Sequence, residues 1–262
     1  GNTLWPAVLD ATASDLVLQQ EMRAGVTTLL NEEIVEITGA QGQVNGVTTT
    51  GGARITCQMV IVAIGIEPNL DFIKQTSIAC GRGVRIDPLM RTSLPDIYAA
   101  GDVVESVDPR IGWARVIGQW YPAVQQGRAA AYGMLDMLDD QRPFHASTFY
   151  NATFLYGLDC AAVGLTSTQG PQFQDIVAEP GPRSYRKVTL YNGVPVGMLA
   201  LGDRREALAF KRAIDYGVSL ASIASSLFAE GFSLNEWLDR QGVPPPVMGV
   251  SKMRLQPAMQ GR

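Results

Sequence analysis

The sequence predicts an α/β protein, strand and helix units followed by a small α+β domain, and three observations carry that prediction. The run MVIVAIGI, Met59 to Ile66, is apolar throughout, as suits a central parallel strand covered on both faces. Two segments with helical spacing, LDATASDLVLQQEMRAGV and YPAVQQGRAAAYGMLDML, flank strand-like stretches. Further on, YRKVTLYNGVPVGMLAL holds two apolar runs joined by Asn192-Gly193, the strongest short signal for a hairpin.

Taken in order, Leu9, Ala13, Leu16, Val17 and Met22 give the first helix its apolar stripe, with Asp10 or Thr12 placed to cap it and Gly25 to stop it. From Val26 the period shortens: VTTLL, EEIVEITG, GQVNGVTTTGG and ARITCQMVIVAIG read as strands separated by glycine turns. A short helix is expected around Leu70 to Gln75, then a strand GVRID, a turn DPLMRTSLPD, and a strand IYAA ending at Gly101 and Asp102. The second long helix has Pro122 in its first turn and a face from Ala123, Ala130 and Leu135. FLYGLDCAAVG, the hairpin, and EALAFKRAIDYG form a third unit of strands and helices; VPPPVMGVSKMRLQPAMQGR reads as an extended tail.

Composition narrows the function classes. With 262 residues, 46% hydrophobic and 18% charged, the chain can bury a sizeable core. Its net charge of -4, with no stretch concentrating Lys and Arg, argues against nucleic acid as a partner. No apolar run reaches the roughly 18 residues needed to cross a bilayer, and the opening GNTLWPAVLD lacks signal-peptide regions, so a cytoplasmic location and no membrane partner are expected. Cys57, Cys80 and Cys160 are too far apart for a CxxC-type site, and buried thiols are expected. The single histidine, His145, gives little to build a triad or a metal site from. Neither a catalytic side chain nor a metal ligand is assigned.

The segment SLPDIYAAGDVVE raises the chemical question. A carboxylate at the carboxyl end of a strand in an open α/β sheet sits at the crevice where such folds bind ligands, and a preceding glycine lets the backbone approach one. Asp102 then either grips a sugar hydroxyl, contributing on the order of 1.5 to 3 kcal/mol, or merely completes a Gly-Asp turn.

Three stretches in order, VIVAIGIEPN, RTSLPDIYAAGDV and QWYPAVQQGRAAAYGML, resemble the FAD-dependent pyridine nucleotide-disulfide oxidoreductases over at least Leu4 to Leu138, and most of all their NADH oxidase, ferredoxin reductase and nitrite reductase large-subunit branch. The resemblance implies incomplete Rossmann-type units for FAD and NAD(P)H, with Gly101, Asp102 and Val103 at the flavin and Asp102 accepting from its ribityl chain. It also implies that Trp120 and Ala123 bring backbone groups to the pyrimidine edge, with the helix dipole favouring negative charge there, and that Gly65 lies near the nicotinamide path.

The departures are as specific. Neither GxGxxG loop of the complete family is present: GAQGQVNG has the wrong spacing and GRGVRID lacks the third glycine. The resemblance therefore divides the chain into a partial NAD(P)-binding domain (1–67), the carboxyl-terminal part of an FAD-binding domain (68–142), a carboxyl-terminal interface domain (143–243) and a tail (244–262). It implies the carboxyl-terminal portion of a flavoprotein that passes hydride from nicotinamide to FAD and on to an unknown acceptor. Alone, this chain is expected to hold FAD weakly or not at all. A bared central strand would favour self-association as a homodimer, and the alternative reading is a non-catalytic interaction module. An electron-acceptor protein is a further expected partner, and Arg204, Arg205, Lys211 and Arg212 are candidates to recognise an acidic one. No histidine follows His145, which disfavours disulfide chemistry.

Overall fold

The computed structural model describes residues 1–108, 111–137, 148–168 and 170–246; His145 and most of the expected tail lie outside these. Helix α1 (Ala11–Arg23) begins where the Asp10 carboxylate accepts the Ala13 N–H at 3.0 Å and stops before Gly25. A three-stranded antiparallel sheet follows: β1 (Ile34–Ala40), β2 (Gln43–Thr49) and β3 (Arg54–Thr56). A 3-10 turn, Asp71–Ile73, the first of two among the described residues with Ala221–Ser226, leads to β4 (Val84–Arg85), β5 (Val104–Val107) and β6 (Ala114–Val116), in which β4 and β5 pair in parallel. Helix α2 (Trp120–Met134) comes next. The rest of the fold is β7 (Tyr150–Leu155), β8 (Leu158–Gly164), β9 (Phe173–Gly181), β10 (Ser184–Tyr191), β11 (Val194–Leu201), α3 (Ala207–Asp215) and α4 (Leu234–Arg240).

The sheet β7-β8-β11-β10-β9 is antiparallel and organises the packing. Asn192 and Gly193, with φ of 50° and 79°, close β10 onto β11 in the two-residue turn the sequence announces. Along β11 the side chains alternate: Met198 and Ala200 meet α3 and α4 through Phe210, Ile214 and Leu238, while Leu199 and Leu201 meet α1 through Leu9, Ala13 and Val17. Both faces are covered, and this is why the run GMLAL is apolar without a break.

The position of α1 was not legible in the sequence. The Asp10 carboxylate that caps it also accepts the Tyr185 hydroxyl at 2.6 Å and the buried Lys187 ammonium at 2.7 Å, both on β10. Thr166 Oγ1 adds a hydrogen bond to the Val8 carbonyl at 2.8 Å. Burial pushes the Asp10 carboxyl upward, but the hydrogen bonds from Lys187, Tyr185 and Ala13 outweigh it and hold the group below the ordinary carboxylate range.

Several expectations need correction. MVIVAIGI forms no strand among the described residues, and Ile61 and Ile64 are 81% and 93% exposed. A strand exists only through its neighbours, and here no backbone ladder runs alongside residues 59–66. VTTLL and IYAA likewise stay out of the sheets, IYAA forming no more β-pairing than an isolated Arg91–Tyr98 bridge. Asp102 therefore leads into β5 instead of ending a strand. Leu135 is exposed, and the buried face of α2 is Pro122, Gln126, Ala129, Ala130 and Gly133. Of the cysteines only Cys160 is buried; Cys80 is exposed. No helix among the described residues is long and apolar enough to cross a membrane.

Candidate functional site

The turn Gly101–Val103 is built by the residues around it. Gly101 adopts φ of +88°, a region most side chains avoid, and its N–H is donated to Gln126 Oε1 at 2.9 Å. The Val104 N–H returns to the Gly101 carbonyl at 3.1 Å, and the Val103 carbonyl accepts the Val84 N–H at 2.8 Å, which ties the turn to the parallel pair β4–β5. A methyl on Gly101 would stand 3.7 Å from the Ala123 Cβ, so the turn rests directly on the first turns of α2.

Asp102 and Val103 form one wall of an open groove of about 390 Å³ whose other side is residues 66–69 and Phe72. Gly118 adjoins both walls: a Cβ there would lie 2.9 Å from Ile66 Cδ1 and 3.8 Å from Asp102 Oδ2. Two residues later α2 begins at Trp120, with no side chain capping its first turn, so positive partial charge is presented at that end of the helix. The Trp120 indole is exposed and packs edge-on against Tyr121 at 5.3 Å.

Of the residues singled out from sequence, Gly101, Asp102, Val103 and Ala123 come together in one place. Gly65, with φ of +100°, sits beside the groove through its neighbour Ile66, and neither it nor Trp120 lines the groove. Gln126 was missed. Its signal was available: a polar side chain one turn beyond Ala123 in an alanine-rich helix, hence on the face turned to the Gly-Asp turn.

The candidate basic face is not one. Lys211 and Arg212 are buried; Lys211 pairs with Asp215, and Arg212 with Asp239 at 2.7 Å and Asn235 at 3.1 Å. Arg204 pairs with Asp159 and Arg205 with Asp203, each at 2.7 Å. Lys211 and Arg212 are spent on packing around α3 and α4 because an unpaired buried charge is costly, and Arg204 ties the end of β11 to β8, whereas Arg205 is exposed and holds the neighbouring Asp203.

The residues present suit one end of FAD: the Asp102 carboxylate can accept from hydroxyls, and Ile66 and Phe72 give an apolar wall opposite it. The other end lacks a cradle: among the described residues no glycine-rich turn opens a helix toward a pyrophosphate, since the positive-φ pairs Gln41-Gly42, Tyr156-Gly157 and Asn192-Gly193 all close hairpins.

Comparison with known proteins gives a consistent picture. Residues 2–127 match the family model described as pyridine nucleotide-disulphide oxidoreductase. The chain is 26% identical over 258 residues to the NAD(P)H nitrite reductase of Bacillus subtilis, covering 96% of this chain and 31% of that protein. Among solved structures it resembles a ferredoxin reductase from Rhodopseudomonas palustris, with TM-score 0.73, 20% identity, and coverage of 92% of this chain and 57% of the other. It also resembles the covalent putidaredoxin reductase–putidaredoxin complex, with TM-score 0.76, 18% identity and coverage of 92% and 57%. At these identities the structural likeness is one of fold. The chain thus spans about a third of that curated relative and somewhat over half of each of these two structures.

Proposed function

Because this chain belongs, through residues 2–127, to the pyridine nucleotide-disulphide oxidoreductase family, we propose that it is part of an NAD(P)H-dependent FAD flavoprotein that moves reducing equivalents from a nicotinamide to FAD and on to an acceptor. When bound, FAD supplies the redox chemistry. This chain's residues supply position and field: Asp102 orients the polyol by accepting its hydroxyls, Gly101 and Val103 keep the backbone close, and Ile66 and Phe72 shield one flank from water. The Trp120 and Ala123 end of α2 would lend its dipole to a flavin held beside it, favouring added electron density there by about 0.3–1 kcal/mol, and more where water is excluded. Gly65, by its positive φ, lets the chain bend at the nicotinamide side.

The observation that carries this reading is that Asp102 and Val103 line an open groove opposite residues 66–69 and Phe72, with the uncapped start of α2 two residues beyond Gly118, which adjoins both walls. The missing pyrophosphate cradle predicts weak FAD binding by the chain alone. Titration of FAD into the isotope-labelled chain, followed by NMR, should shift Gly101, Asp102 and Ala123 with millimolar-range affinity, and Asp102→Asn should weaken that response. Shifts confined to other regions overturn the assignment. The acceptor is inferred to be an electron-carrier protein, supported by the likeness to a reductase captured with putidaredoxin.

A second reading, a non-catalytic module that self-associates, is favoured by one observation: Ile61, Val62, Ile64 and Ile66 are consecutive or nearly so and all at least 68% exposed. Light scattering discriminates the two, since a module of this kind is dimeric at micromolar concentration and indifferent to FAD.

A further inference from the structure

We propose that Gln126 is a positioning residue for the Asp102 carboxylate, an inference that rests on the flavin reading of the groove. Gln126 is 3% exposed, on a helix face otherwise made of Pro122, Ala129, Ala130 and Gly133. A primary amide buried among such small apolar neighbours is unfavourable unless its polar atoms are engaged. Its Oε1 engages one partner, the N–H of Gly101, at 2.9 Å across 25 positions of sequence.

The geometry gives that bond a specific consequence. Gly101, at φ of +88°, turns its N–H away from any strand ladder and toward α2. Ala123, one turn earlier on the same helix, lies beside Gly101: a methyl added there would stand 3.7 Å from the Ala123 Cβ. The helix therefore holds the Gly101 peptide by the hydrogen bond at Gln126, with Ala123 close beside it. Asp102 follows that peptide directly, so the direction of its carboxylate into the groove is set by the orientation of Gly101. The same helix starts at Trp120, two residues beyond Gly118, which adjoins both groove walls, and Gln126 thus ties the placement of the acceptor to that of the helix. Removal of the bond frees the peptide to rotate and swings Asp102 off the polyol position without touching the ligand itself.

The test uses the full chain labelled with nitrogen-15 and three variants, Gln126→Leu, Gln126→Glu and Asp102→Asn. Glutamate keeps an acceptor within reach of Gly101, whereas leucine keeps bulk and loses it. Amide exchange at Gly101 should rise about 2- to 10-fold in the leucine variant, the loss expected for one hydrogen bond, and return to the parent rate in the glutamate variant. In a titration with FAD the leucine variant should bind about 2- to 10-fold more weakly. Unchanged Gly101 exchange in the leucine variant overturns the proposal, as does unchanged FAD affinity there when Asp102→Asn weakens binding. If Gly101 exchange rises while neither Gln126→Leu nor Asp102→Asn alters FAD binding, the hold of Gln126 on the turn stands and the flavin reading falls. Should the leucine variant fail to fold, Gln126→Asn, one methylene too short to reach Gly101, replaces it under the same criteria.

Discussion

Replacing Lys187 by methionine tests whether α1 and the five-stranded sheet are one unit. The ammonium is 5% exposed and lies 2.7 Å from Asp10 Oδ2, with Asp175 Oδ2 at 3.8 Å. Removing one partner of a buried pair costs about 3–5 kcal/mol because the other charge is stranded. Asp10 here keeps the Tyr185 hydroxyl, the Ala13 N–H and, with 30% of its side chain exposed, some water. The loss should therefore fall to about 2–3 kcal/mol. Urea unfolding followed by far-ultraviolet circular dichroism reads this as a midpoint lowered by about 1 M for a slope near 2–3 kcal/mol/M. Asp10→Asn retains a helix cap and removes only the charge, so the double variant Asp10→Asn/Lys187→Met has no stranded ion. It should be more stable than the two single losses add up to, by about 1 kcal/mol or more. A Lys187→Met protein within about 0.5 kcal/mol of the parent, or strictly additive losses, refutes the clamp.

Three further outcomes follow from the packing. Burial, with help from the Asp159 charge, raises the Cys160 thiol from 9.0 to about 11; because the folded value is raised, its contribution is complete below pH 9 and fades as pH climbs toward 11, so Cys160→Ala should flatten part of the alkaline loss of stability, by about 2 kcal/mol. Gly197→Ala should prevent native folding of the five-stranded sheet, since the added methyl would lie 1.6 Å from the Leu165 carbonyl oxygen, and loss of the cooperative thermal transition is the readout. Phe210→Ala, at a fully buried site between β11 and α4, should cost about 3–5 kcal/mol, visible as a lowered urea midpoint.

Local chemistry was the legible part of this sequence. Asn192-Gly193 dictates its hairpin because both residues tolerate positive φ, and Asp10 dictates the start of α1 because its carboxylate reaches back to an orphan N–H. At Gly101-Asp102 the turn was legible because glycine takes positive φ, whereas the strand IYAA expected to end there does not form. Partner-dependent features could not be read. MVIVAIGI has the composition of a central strand, but strand formation depends on neighbours that composition does not specify, and here none pairs with it. Arg212 looked like a surface cation because it stands beside Lys211 in a helical run; Asp239, Asn235 and the carbonyl oxygens of Val243 and Pro244, which surround its guanidinium, come from a helix and a loop more than twenty positions away. Gln126 carried a periodic signal, but only the bent Gly101 peptide gives that glutamine a partner.

The Asp10–Tyr185 contact joins positions 175 residues apart. At a synthesis rate of about 5–20 residues per second, the first helix waits on the order of ten seconds or longer for the sheet that shelters it. Its apolar stripe stays bare during that interval, in a fold whose late, long-range closure is intrinsically slow. Helix α1 is therefore made well before the sheet that shelters it, and its uncovered stripe is where the nascent chain is exposed to misassociation until β10 and β11 arrive.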